Sequence, residues 1–118
     1  MVEELIPVLR VRDAVAAVAW YGRLGFEQEW VHRSEAGFPA FVSIARGKLR
    51  IFLSEHEGDA RPNTLLYMLL EDVTGIAVEF EVPVEDEPWA REVKLTDPDG
   101  NRLRIGAPRT EAKSKKIA

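Results

Sequence analysis

The hydrophobic and polar positions in the first half of the chain predict one β-α-β-β-β unit. The alternating stretch "LIPVLRVRD" predicts a strand, and "AVAAVAWYGRLGF" after it predicts a helix that begins at Asp13 and ends at Gly25. Three further stretches, residues 26–33, 38–45 and 48–55, have the alternation of half-buried strands. The helix should face the core with an apolar stripe made of Val15, Val18, Ala19 and Leu24, together with Trp20 or Tyr21.

The same order of elements starts again after the polar loop "EHEGDARPN". Placing "LLYMLLED" under "IPVLRVRD" aligns Asp72 with Asp13, and placing "VKLTDPDGNRLRI" under "VSIARGKLRI" aligns Arg104 with Arg50. The linking stretch 73–87 of the second copy contains a Gly and several β-branched residues, so we expect at most a turn or two of helix there.

The repeat predicts an α+β fold in a single domain, residues 1–109. It consists of two βαβββ modules, residues about 1–56 and 62–109, the second with a shortened or missing helix, and together they form a curved mixed sheet around a cleft. Residues 110–118, with three lysines, are expected to be a disordered tail.

Composition narrows the classes of function. The chain has 118 residues, 46% of them apolar and 31% charged, and no apolar run near the ~18 residues that span a bilayer, which predicts a cytoplasmic protein with no membrane partner. The absence of cysteine excludes disulfides, thiolate catalysis and cysteine-ligated zinc. A net charge of -4 argues against nucleic acid as a partner.

Several stretches of the sequence resemble one known superfamily. The stretches "IPVLRVRD", "AWYGRLGF", "FLSE", "NTLLY" and above all "PWAREVKLTDPDGN" resemble the vicinal-oxygen-chelate superfamily of glyoxalases, bleomycin resistance proteins and dioxygenases, and within it the bleomycin-resistance-like branch. The resemblance implies a homodimer, either side by side or with exchanged first strands hinged near Pro7, whose subunits share ligand sites.

The enzymes of this superfamily bind a divalent metal through His or Glu at equivalent strand positions. The resemblance places those positions here at Ile6 and Leu65, and at Arg50 and Arg104, none of which ligates a divalent cation. It therefore implies a protein with no catalytic residue, no metal and no cofactor. Two alternatives stay open: a metal-dependent lyase or oxygenase that uses other ligands, and a degenerate module that acts only through protein contacts.

What the resemblance implies instead is a metal-free antibiotic-resistance protein that sequesters a small aromatic ligand, charged or neutral, at the dimer interface. Arg50 and Arg104 leave two interpretations open: either they point into the cleft and favour an anionic ligand, or they face solvent on edge strands beside acidic residues. The candidate ligand-binding residues are Trp30, Phe38, Phe41, Arg50, Phe52, Ser54, Asn63, Tyr67, Trp89 and Arg104.

Overall fold

The computed structural model describes residues 2–109, and it has the predicted α+β fold with two βαβββ-like units. The first unit runs to Thr64 and includes residues 97–101, and the second comprises Leu65–Thr96 and the chain from Arg102 onward. The predicted disordered tail, residues 110–118, lies outside the described residues. The elements are β1 Val8–Arg10, α1 Ala14–Gly22, β2 Glu27–Arg33, β3 Ala40–Arg46, β4 Leu49–Ser54, β5 Leu65–Leu69, α2 Thr74–Phe80, β6 Glu85–Asp86, β7 Ala90–Thr96 and β8 Arg102–Pro108.

The first unit is a four-stranded sheet in the order β1-β4-β3-β2, with β1 parallel to β4 and the other pairs antiparallel. Paired residues such as Leu9, Leu53 and Val42 share one face and are fully or almost fully buried. Helix α1 packs against β2, β3 and β4. The opposite face of the sheet, here called the open face, carries side chains that are not part of this core.

Helix α1 begins as predicted, because the Asp13 carboxylate accepts hydrogen bonds from the backbone N–H groups of the first turn. Its predicted apolar stripe is only partly correct, since Tyr21 and Leu24 are buried but Val15 is 75% exposed and Ala19 is exposed too. The buried positions are Ala14, Ala17, Tyr21 and Leu24. Small alanines in the first turns bring the helix close to the sheet, and the large buried Tyr21 sets the face that turns inward.

The second unit is a sheet in the order β5-β8-β7-β6, with β5 parallel to β8. Its core face is formed by Met68, Val93, Leu103 and Ile105. Helix α2 has seven residues, which confirms the prediction of at most two turns. No helix within residues 2–109 is both long and apolar enough to cross a membrane.

The turn between β7 and β8 is built around one buried carboxylate. The buried Asp97 accepts hydrogen bonds from the backbone N–H groups of Asp99, at 2.8 Å, and Asn101, at 2.9 Å. Gly100 has φ 85°, which favours glycine. The Tyr21 hydroxyl donates to Asp97 at 2.8 Å, and burial together with that carboxylate raises the pKa of Tyr21.

The strand pairing corrects the alignment of the two repeats. In the first unit Val8 pairs with Phe52, and in the second unit Tyr67 pairs with Arg104. Val8 and Tyr67 are equivalent in the aligned first strands, so the counterpart of Arg104 is Phe52 and not Arg50. The two turns differ in length. Aligning the residues that the two hairpins have in common therefore shifted the second strand by two positions.

Candidate functional site

The open face of the first unit carries a cluster of three aromatic side chains from three different strands. Trp30 of β2 stacks on Phe41 of β3 with ring centroids 6.1 Å apart and an interplanar angle of 20°. Phe52 of β4 lies 5.4 Å from Trp30 and 5.1 Å from Phe41. Trp30 is 44% exposed, so the cluster presents a ring face to solvent.

Strand register brings these rings together. Trp30 and Phe52 are both directly opposite Ser43, and Phe41 lies two positions from Ser43 along β3. Residues opposite each other or two apart share a face of a sheet, so the three rings stand side by side. The small Ser43 between two large rings leaves room for them to approach.

Arg50 lies on the same face and belongs to a cluster of charges beside the rings. Its Nε donates to Glu29 at 2.7 Å, and its Nη1 also pairs with Glu4. The Ser43 hydroxyl donates to Glu29 at 2.6 Å. The hydrogen bond from Arg50, followed by that from Ser43, lowers the pKa of Glu29 to about 2. One guanidinium therefore faces two carboxylates.

Glu29 reaches this face because it is the extra residue of a β-bulge. The pairing of β2 with β3 shifts between Gln28 and Trp30, so Glu29 has no directly opposite partner. A bulge re-aims a side chain that strict alternation would send to the other face. The sequence carries no clear signal for it, and Glu29 was missing from the predicted site.

The open face of the second unit is organised around Glu92, which has no solvent-exposed surface. Its carboxylate accepts hydrogen bonds from the Tyr67 hydroxyl at 2.7 Å and from Trp89 Nε1 at 2.8 Å. Arg104 also donates to the carboxylate, from Nε at 3.0 Å and from Nη2 at 2.8 Å. Burial alone would raise the pKa of Glu92, but these three donors outweigh it and the pKa is lowered.

Arg104 is held between aromatic rings as well as by its ion pair. The guanidinium carbon lies 5.4 Å from the centre of the Tyr67 ring and 5.9 Å from that of Trp89, the range of cation–π contacts. Burial and the bond to Glu92 raise the pKa of Tyr67. Together, Tyr67, Trp89 and Arg104 form a platform over the buried carboxylate.

Gly106 makes this platform possible. It pairs with Glu92 across β8 and β7, and the Tyr67 side chain crosses above it to reach the carboxylate. A Cβ atom at position 106 would collide with the Tyr67 hydroxyl oxygen and would lie 3.1 Å from Cζ. An isolated glycine inside a strand pattern signals such a close approach.

The sequence left open whether Arg50 and Arg104 lie on edge strands and whether acidic residues lie beside them. Arg50 and Arg104 lie on β4 and β8, which are interior strands, so the edge-strand interpretation is wrong. The expectation that acidic residues lie beside them is correct, because both arginines are paired with carboxylates. Neither guanidinium is an uncompensated positive charge on its face.

Two of the other predicted residues, Phe38 and Asn63, lie in loops, whereas Ser54 is directly opposite Phe41 and so lies on the open face beside the aromatic cluster. Phe38 is half-exposed in the segment between β2 and β3. Ser54 is buried and donates to Asp59 at 2.6 Å. Asn63 has φ 63° and lies against Gly100, as a loop residue. Besides Glu29, the sequence prediction missed Glu92 and Gly106, and Glu92 looked like one more polar residue in an alternating strand.

The residues at the metal positions of the superfamily do not fit a divalent metal. Ile6 and Leu65 are aliphatic and Arg104 is a cation, and in the first unit neither Arg50 nor Phe52, the register counterpart of Arg104, can ligate a divalent metal. Within residues 2–109 there is no group of three or more His, Asp or Glu side chains arranged to hold a metal ion. The oxygens of Glu92 are already occupied by three donor side chains.

Known structures with the same fold include several drug-binding proteins. TnmS3, an antibiotic binding protein from Streptomyces sp. CB03234, aligns with a TM-score of 0.72 and 18% identity over 92% of this chain and 98% of that one. The bleomycin-binding protein of Streptomyces verticillus, in complex with copper(II)-bleomycin, aligns with a TM-score of 0.65 and 29% identity over 92% of this chain and 100% of that one. The bleomycin resistance determinant encoded on the transposon Tn5 has a TM-score of 0.66 and 22% identity, over 92% and 99% of the two chains.

A search of the curated proteins found no significant match. The family model described as "Glyoxalase superfamily protein" matches residues 1–112. That match spans nearly the whole chain and agrees with the two βαβββ-like units, and the protein therefore belongs to the glyoxalase/bleomycin resistance superfamily.

Proposed function

We propose that the protein binds a planar aromatic, drug-like molecule and sequesters it without chemical change. The observation that carries the proposal is the cluster of Trp30, Phe41 and Phe52 on the open face of the first unit. Aromatic faces exposed together on a sheet are unusual for a surface that meets only water, and they suit stacking with a flat ligand.

Bleomycin is the first candidate ligand. The Streptomyces verticillus relative, at 29% identity, is a bleomycin-binding protein by name and contains bound copper(II)-bleomycin. The charge cluster beside the rings is compatible with a cationic ligand, because Arg50 is matched by both Glu4 and Glu29.

The lack of a fitting metal-ligand set supports sequestration over lyase or oxygenase chemistry. Those reactions need three or four converging N or O donors with one position left for substrate. Ile6, Leu65 and Arg104 stand at superfamily positions instead, and the register counterpart of Arg104 in the first unit is Phe52.

We also propose that the protein acts in the cytoplasm as a homodimer, with the ligand at the interface between subunits. Leu69 and Trp89 are large apolar side chains that are exposed in the second unit, and a second subunit would cover such surface. Sedimentation equilibrium gives the mass in solution, and a monomer at all concentrations would rule the dimer out.

Binding is tested by isothermal titration calorimetry with bleomycin on three proteins: the unaltered chain, Trp30→Ala and Val31→Ala. Val31 is the matched control, since it neighbours Trp30, is 51% exposed and points to the opposite face of β2. Loss of one stacking ring should raise the Kd about ten-fold. The control should bind like the unaltered chain.

Two results would count against the proposal. Absence of heat with the unaltered chain would remove bleomycin as the ligand. Equal affinity of Trp30→Ala and Val31→Ala would show that the aromatic cluster does not form the site.

A further inference from the structure

The open face of the second unit carries a cavity of about 430 Å³ whose chemistry differs from that of the aromatic cluster. Its polar lining comes from Lys94, Thr96, Arg102 and Arg104, and Leu65 supplies apolar surface. The volume falls within the range of about 300–1,000 Å³ that is usual for small-molecule sites. No carboxylate contributes to the lining.

The three cations of this lining are not equivalent. Arg104 is paired with the buried Glu92, and Lys94 reaches Glu85 at 3.1 Å in an exposed, weak ion pair. The side chain of Arg102 makes no hydrogen bond or ion pair with any residue from 2 to 109. The cavity therefore keeps one uncompensated guanidinium.

Strand register brings this guanidinium next to a free hydroxyl. Arg102 is directly opposite Thr96 on β7 and Leu65 on β5, so the three side chains share one row of the open face. Within the described part of the chain, the Thr96 hydroxyl has no hydrogen-bond partner. A guanidinium and a hydroxyl side by side are donors suited to the oxygens of a carboxylate or phosphate.

The next row of the same face offers surface for a ring. It contains Tyr67, Arg104 and Lys94, in register with one another, and the Arg104 guanidinium lies over the Tyr67 ring. Successive rows on one face are two residues apart, about 6.7 Å. A molecule with its carboxylate at Arg102 therefore extends over Arg104, which also lines the cavity, if a flat group is attached to it.

We propose that this cavity is a binding site for a small aromatic carboxylic acid. The carboxylate accepts hydrogen bonds from Arg102 and Thr96, and the ring lies over the guanidinium of Arg104 and against Leu65. The site uses no residue of the aromatic cluster in the first unit, so a failure of the drug-binding proposal would not contradict it.

The test is a titration of the 15N-labelled full chain with benzoate, benzamide and inorganic phosphate, followed by amide chemical shifts. We expect benzoate to shift the amide signals of Thr96 and Arg102 in a saturable way. Benzamide has the same shape without the charge, and it should leave those signals in place. Phosphate has the charge without the ring, and it should bind at least several-fold more weakly than benzoate.

Two variants assign the effect to the cavity. Arg102→Gln should raise the Kd for benzoate ten-fold or more, since it removes the uncompensated charge. Arg91→Gln is the matched control, an exposed arginine of β7 on the other face, and it should leave the Kd unchanged. Trp30→Ala should also bind benzoate normally, which separates this site from the first-unit cluster.

Three outcomes would overturn the proposal. Equal shifts with benzamide would show that the carboxylate is not recognised, and equal loss in Arg102→Gln and Arg91→Gln would show general attraction of anions. Phosphate binding as tight as that of benzoate would leave an oxyanion site with no role for the ring.

Discussion

Adding a single methyl group at Gly106 should dismantle the platform on the second unit. The Cβ of Gly106→Ala would overlap the hydroxyl oxygen of Tyr67, lie 3.1 Å from its Cζ and lie 3.2 Å from the Cβ of Ala90. The glycine is buried between strands, but Tyr67 is 42% exposed, so its ring is the part free to move. The ring then swings toward solvent, and its hydrogen bond to Glu92 is lost.

The magnitude follows from two opposing effects. The lost hydrogen bond ends on a carboxylate, and bonds to charged groups contribute about 1.5–3 kcal/mol. Alanine in place of glycine stabilises a strand by about 0.5–1 kcal/mol, because it restricts the unfolded chain. Gly106→Ala should therefore lower the free energy of unfolding by about 1–2 kcal/mol.

Urea denaturation of a double-mutant cycle with Tyr67→Phe is the assay. Tyr67→Phe removes the hydroxyl that collides and the hydrogen bond that would be lost, so Gly106→Ala should be neutral or slightly stabilising in that background. Gly75→Ala is the control, since a Cβ there meets no atom within 4 Å and alanine favours the helix. The reasoning is refuted if Gly106→Ala costs the same in both backgrounds, or nothing in the unaltered chain.

Three further perturbations address other contacts. Glu92→Gln should lower the urea midpoint by an amount equivalent to about 2–3 kcal/mol, because it leaves the partnered guanidinium unmatched; an unchanged midpoint would contradict this. Tyr21→Phe deletes the hydroxyl that donates to buried Asp97 and should cost about 1.5–3 kcal/mol, measured by calorimetric unfolding, where an unshifted Tm would argue against the bond. Because the pKa of Glu29 is lowered to about 2, its contribution to stability is complete above the unfolded pKa near 4.3 and is lost as the pH falls toward 2. Carboxyl NMR titration of Glu29 checks this, and a midpoint above 4 would contradict it.

Local signals in the sequence predicted the order of elements well. The cap at Asp13 and the short second helix each depend on a few neighbouring residues, and each is present in the structure. The apolar stripe of α1 was correct at Tyr21 and Leu24 but wrong at Val15, because several apolar residues surround this helix and hydrophobicity alone does not select the face that packs. The buried Tyr21 and the small Ala17 were decided by the fit to the sheet.

The candidate site was predicted in part. Trp30, Phe41 and Phe52 were named individually, but their contact depends on three strands and one bulge. Glu92 was missed because alternation shows only that a side chain points away from the core, and not what covers it. Part of its cover comes from Tyr67, which is 25 positions away along the chain, and no local pattern encodes that contact.

The sequence by itself determined the α+β class, the repeated βαβββ unit and the superfamily, because those follow from periodicity, turn residues and motif letters. The tertiary structure alone decided the register between strands. In that register Arg104 is the counterpart of Phe52. Arg50 and Arg104 are paired with carboxylates, and the side chain of Arg102 has no partner among residues 2–109. The alternation of apolar and polar residues has a period of two, so a shift of two residues leaves the pattern unchanged. The same shift changes which residues pair through hydrogen bonds between strands.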